Sequence, residues 1–180
     1  MKKTITTSNK TAIFFIGIFL SLMITTALTS SIIPAVFAAQ HSGDKQKFTA
    51  QLSGDQQAPP VQTSATGSAW FKPMQDGVSF EVNVSDIQGV TMAHIHSGKL
   101  GENGPPIVPL FKSDPIGQMS GILTKGNATA DTFQGPMAGK PLSDLITAMQ
   151  NGQTYVNIHT EQHPMGEIRG QIIMSNSTTK

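Results

Sequence analysis

The chain has 180 residues, with 12 Lys and Arg against 11 Asp and Glu, a formal net charge of +1. That balance lacks the electropositive footprint of a nucleic-acid binder. It contains no Cys, which excludes a disulfide scaffold, a thiol nucleophile, a cysteine-type zinc finger and an iron–sulfur protein.

Lys2, Lys3 and Lys10 precede an almost wholly apolar run over residues 12–23. Val36 and Ala38 then stand at the −3 and −1 positions of a cleavage point. A basic start, an apolar centre and small residues at the cut predict a secretory signal peptide over 1–38. The alternative is an uncleaved membrane anchor over 12–33, a stretch long enough to cross a bilayer. Thr25, Thr26, Thr29, Ser30 and Ser31 weaken its second half. Either reading places the rest of the chain outside the cytoplasm, secreted or at the cell surface. Losing 1–38 removes three Lys and no acid, so nine of the 12 basic residues remain against 11 acidic ones, a net of −2.

Residues 39–46 read as a linker, 47–174 as one domain and 175–180 as a tail. Phe48, Ala50 and Leu52 alternate with polar residues and predict a strand. A polar, Pro-containing loop follows over 56–64. The segment 67–72 reads as a strand that sends Trp70 and Phe71 to opposite faces, one of them into the core. Asp76-Gly77 marks a hairpin. Val78, Phe80, Val82 and Val84 then alternate with Ser79, Glu81, Asn83 and Ser85, the clearest strand pattern in the chain.

Residues 90–96 form a further strand candidate, and 97–106 a loop rich in Gly, Asn and Pro. The short apolar segment 107–111 contains Pro109, which predicts an edge strand. Segments 118–124 and 128–133 read as two strands around a Gly126-Asn127 turn. One helix is expected at about 141–150. Pro141 suits its first turn, Leu142, Leu145, Ile146 and Met149 form its apolar stripe, and Gly152 fits beyond its end. Segments 154–160 and 167–174 complete a last strand pair around His163-Pro164. The sum is an all-β fold: an antiparallel, Greek-key-like sandwich or barrel of about seven to nine short strands with one short helix.

His94-Ile95-His96 is the densest chemical signal. Residues two apart on a strand share a face, so both imidazoles can reach one ion. Imidazole suits zinc, copper and nickel. Met92 shares that face, and its thioether favours Cu(I). His159 ends a later strand that tertiary pairing can bring alongside. Three converging His make a three-ligand site with an open position. The competing reading is structural, with each ring bonding a backbone carbonyl and locking a loop. His163, before Pro164 in a turn, is a further candidate ligand. Glu167 and Arg169 share a strand face. They read either as groups that orient a ligand imidazole or as a structural ion pair. Asn83, Asn127 and Asn176 begin N-glycosylation triplets, with Asn127 and Asn176 the more accessible.

The segments FTAQLSGDQQAPPV, AHIHSGKLGENGPPIVPLF and TYVNIHTEQHPMGEIRGQI, in that order, resemble the CHRD (chordin-type) domain. The likeness spans about 47–173. It implies an all-β extracellular domain of the single-domain exported prokaryotic type and supplies no reaction. It also implies that His94, His96, His159, Glu167 and Arg169 are family-motif positions. A looser likeness to copper/zinc superoxide dismutases rests on the His-x-His strand under loops. Their further His-rich zinc loop has no counterpart here. The expected function is an exported binding or structural module with an extracellular or cell-surface partner. The alternative is a copper- or zinc-binding, redox-active metalloprotein using His94, His96 and His159. An enzyme is the third reading.

Overall fold

In the computed structural model, residues 46–175 are described. The expected leader, all but the last residue of the expected linker, and the tail beyond Ser175 lie outside them. Buried apolar residues at every second position are clearest in FTAQLS and VSFEVNVSDI. Nine strands form among the described residues. In chain order they are β1 (Phe48–Ser53), β2 (Thr66–Pro73), β3 (Val78–Ile87), β4 (Val90–Ser97), β5 (Pro106–Ile116), β6 (Met119–Ala128), β7 (Thr154–Thr160), β8 (Ile168–Gln171) and β9 (Ile173–Met174). All pairs are antiparallel.

The strands form one sheet in the order β5-β4-β7-β8-β1-β2-β3-β6, with β9 against β1. The neighbours β4–β7, β3–β6 and β8–β1 are not consecutive, so the chain crosses over in Greek-key manner. The two ends of the sheet approach each other. Thr124 Oγ1 on β6 donates to the Leu110 carbonyl on β5 at 3.2 Å. The result is a nearly closed, barrel-like sheet. Phe48, Leu52, Phe71, Val82, Ile95 and Ile158 are among the side chains that fill it. Phe71 is 1% exposed and its neighbour Trp70 is 40% exposed, as alternation requires.

The single α-helix among the described residues, α1 (Leu142–Gln150), follows Pro141 and is succeeded by Gly152 at φ +62°. Leu145 and Met149 enter the core, and Leu142 and Ile146 pack on it. No helix among the described residues is long and apolar enough to cross a membrane.

Two strand expectations need correction. Gly126-Asn127 is not a turn. Strand β6 runs unbroken through it, with Phe80 opposite Gly126. A Cβ on Gly126 would lie 3.1 Å from the Phe80 ring, so glycine serves close packing there. The segment expected as the next strand instead contains a 3₁₀ turn, Ala130–Thr132. Strand β5 also continues to Ile116, beyond the expected end, despite Pro109 and Pro115. As a terminal strand of the sheet it pairs only with β4, so a missing N–H on its other edge is tolerated.

Candidate metal centre

Strands β4, β7 and β8 lie side by side, and β7 is buried at every residue. Alternation divides them into two faces. Ala93, Ile95, Val156, Ile158 and Ile168 point into the apolar core. The opposite face carries His94 and His96 on β4, Tyr155, Asn157 and His159 on β7, and Arg169 on β8. This polar face is covered by loops, and the covering is specific.

Arg169 ties down the loop after β4. Its Nη2 donates to the carbonyls of Lys99 at 2.9 Å and Glu102 at 2.8 Å, and its Nη1 to Asn103 Oδ1 at 3.2 Å. The guanidinium carbon lies 3.5 Å from the Tyr155 ring centroid. Burial lowers the Arg169 pKa, and Tyr155 opposes that shift. Tyr155 Oη accepts from the Gly104 N–H at 3.1 Å. A Cβ at Gly104 would sit 1.7 Å from the Ser97 carbonyl oxygen, so only glycine fits this return of the loop.

A second loop, 161–166, is held from the other side. Thr160 Oγ1 accepts from the His163 N–H at 3.1 Å and donates to Glu167 Oε2 at 2.8 Å. Glu167 Oε1 accepts from Thr63 Oγ1 at 2.7 Å, which draws in the loop after β1. Asn157 accepts from Gln57 at 2.7 Å and donates to the Met165 carbonyl at 3.1 Å. The two buried charged side chains thus each anchor loops through their own partners.

Each loop delivers one carbonyl to one imidazole. His96 Nδ1 lies 2.9 Å from the Gly104 oxygen, and His159 Nδ1 lies 3.0 Å from the Pro164 oxygen. A carbonyl only accepts, so each Nδ1 carries the proton and each Nε2 keeps its lone pair. Those two Nε2 atoms are buried with no hydrogen-bond partner among the described residues, and so is His94 Nδ1. The three ring centroids form a near-equilateral triangle, 5.8 Å, 5.4 Å and 5.5 Å on its sides. One potential ligand nitrogen from each ring lies within 4.8 Å of the others.

Burial pushes the pKa of His94 down to about 4, and the neighbouring His159, His96 and Lys112 add to the shift. Burial likewise lowers His96 to about 4. The Gly104 carbonyl opposes this, while His159 and Arg169 reinforce it. His159 is lowered by burial against the opposing Pro164 carbonyl. All three rings are therefore neutral at pH 7, the form that ligates metal. Leaving three buried polar nitrogens unpaired is costly, and a single cation would satisfy all of them.

His94, His96 and His159 are thus brought together as the sequence anticipates. His163 is half-buried and stands outside the triad, its N–H taken by Thr160. The structural reading also has its bonds, because two rings do lock loops. The two readings are compatible, since the carbonyl that holds a loop also fixes the tautomer. Sequence reasoning missed Tyr155, Asn157 and the carbonyls of Gly104 and Pro164. The alternation Tyr155, Asn157, His159 was the available signal for the first two. Between the loops opens a cleft of about 620 Å³, lined by His96, His159, Tyr155 and Asn157 from the strands and by Pro59 and Pro164 from the loops.

The family model described as CHRD domain matches residues 48–172. Chordin of Danio rerio is 29% identical over 128 residues, 66% of this chain and 12% of chordin. The chain therefore spans a small fraction of that relative's length. No solved structure matches.

Proposed function

The chain belongs to the CHRD-domain family, and from that premise we propose an exported binding module that holds a transition-metal ion, copper or zinc, on His94, His96 and His159. The observation that carries this reading is the set of buried, partnerless imidazole nitrogens, one from each ring. Their counterparts on His96 and His159 are already committed to backbone carbonyls, the usual arrangement behind a ligating imidazole. Three protein ligands leave a fourth position for water or an incoming group. The extracellular setting is supported by the basic, apolar N-terminal segment and its small-residue cut. Family membership supports a binding or structural role and supplies no reaction. A cell-surface partner would meet the module at the cleft beside the three rings.

The test is metal analysis of the exported chain purified without a polyhistidine tag. About one copper or zinc per chain is expected, lost in His94→Ala and His96→Ala variants that still unfold cooperatively. Failure of the wild-type chain to retain any ion at micromolar concentration would overturn the metal-binding reading. A partner recovered from surface extracts whose binding survives chelation would establish a module that works without the ion.

A further inference from the structure

Resting on the metal-binding reading above, we infer that the site is built for monovalent copper, with the Met92 thioether as an additional donor beside the three imidazoles. Three observations converge on this.

The first is placement. The polar face of β4 reads Met92, His94, His96, and Met92 is half-buried there, on the side away from the apolar core. In the β4–β7 register Met92 stands directly opposite His159. Residues opposed in this way have Cβ atoms about 4.5–5.5 Å apart, within reach of a long side chain. Met92 is therefore neighbour to His94 along its own strand and to His159 across the ladder. Its unbranched side chain has the rotational freedom to direct sulfur toward the ring nitrogens.

The second is charge. Besides the rings themselves, the side chains acting electrostatically on His94 and His96 are Lys112 and Arg169, both cations. Lys112 also stands opposite Met92 on the β5 side of the ladder. The nearby buried carboxylate, Glu167, is occupied by the hydroxyls of Thr63 and Thr160. A divalent ion on three neutral ligands would bring two uncompensated charges into this cationic, buried setting. A monovalent ion brings half as much, and desolvation disfavours the larger charge.

The third is softness. A thioether is a soft donor of the kind that selects Cu(I), whereas zinc takes its protein ligands from Cys thiolate, His and carboxylate. A site of imidazole and thioether with no carboxylate ligand therefore discriminates by donor type and by charge together.

The experiment is a pair of anaerobic competition titrations on the full chain. Cu(I) is measured against a colorimetric Cu(I) chelator and Zn(II) against a zinc-binding dye, for the wild type and for Met92→Leu. Leucine approximates the volume of methionine, so folding is retained. The Zn(II) affinity of the variant checks that retention. The wild type should hold Cu(I) more tightly than Zn(II). Met92→Leu should weaken Cu(I) by about tenfold or more and leave Zn(II) within about threefold. Equal losses for both ions, no loss for Cu(I), or a wild type that prefers Zn(II) would overturn the inference while leaving a three-imidazole metal site intact. A wild type that takes neither ion would remove the metal-binding reading itself.

Discussion

The two faces of β7 are both buried, yet they are built from opposite materials. Val156 and Ile158 face the core, pack among apolar side chains and need no partner. Tyr155, Asn157 and His159 face the loops, and their polar atoms are matched to named groups, with one recurring exception. That exception is the imidazole nitrogen, on His159 and on both His of β4. The difference is instructive. Buried polar atoms are mostly satisfied. Among the described residues five side-chain atoms are not, and three of those are ring nitrogens meeting at one point. The apolar face accounts for why the strand exists. The polar face accounts for why three rings meet.

Substitutions that separate the faces should separate stability from binding. The largest effect is expected at Ile158→Ala, which removes a fully buried side chain. Denaturant unfolding should show a loss of about 2–5 kcal/mol. Metal affinity per folded molecule should stay near that of the wild type. Arg169→Met should cost less, roughly 1–3 kcal/mol, by leaving loop oxygens without their charged donor. Its signature is local. Amide hydrogen exchange should accelerate in residues 98–105 while β1–β3 keep their protection. Acceleration spread evenly over the sheet would mean that Arg169 supports the whole barrel and not one loop.

The smallest effect is the gradual one with pH. His94 and His96 have folded values near 4, below the ordinary 6.5. The unfolded chain therefore takes up protons first as pH falls. Their contribution to stability is intact above pH 6.5 and is lost progressively down to about pH 4. The melting temperature of the metal-free protein should decline across that window, and the paired His94→Ala, His96→Ala variant should decline less steeply. Proton competition for a bound ion should begin only near pH 4, since the folded rings stay neutral above it.

The strand pattern was largely legible in the sequence because period-two alternation is a local property. Phe48–Ala50–Leu52 and Val78–Phe80–Val82–Val84 announce β1 and β3 without reference to anything distant. The helix was legible for the same reason, through Pro141 and the stripe from Leu142 to Met149. Gly126-Asn127 misled because a glycine in a strand and a glycine in a turn look alike. Only the Phe80 ring across the ladder distinguishes them. The His-x-His pair was readable from strand geometry, and His159 joined it through the β4–β7 pairing. The hydrogen-bond partners of Arg169 lie 66 to 70 residues away in one loop, two backbone carbonyls and the Asn103 side chain, and no local pattern encodes them. Family likeness marked Glu167 and Arg169 as motif positions. The structure shows what each grips.

The three converging rings of His94, His96 and His159 call for one shared ion. A crystal structure of the metal-loaded chain, with data collected at the absorption edge of the bound element, tests it most directly. A single anomalous peak is expected about 2.0–2.1 Å from one nitrogen each of His94, His96 and His159. A peak elsewhere, for instance beside His163 alone, or no peak in crystals grown with stoichiometric metal, would contradict it.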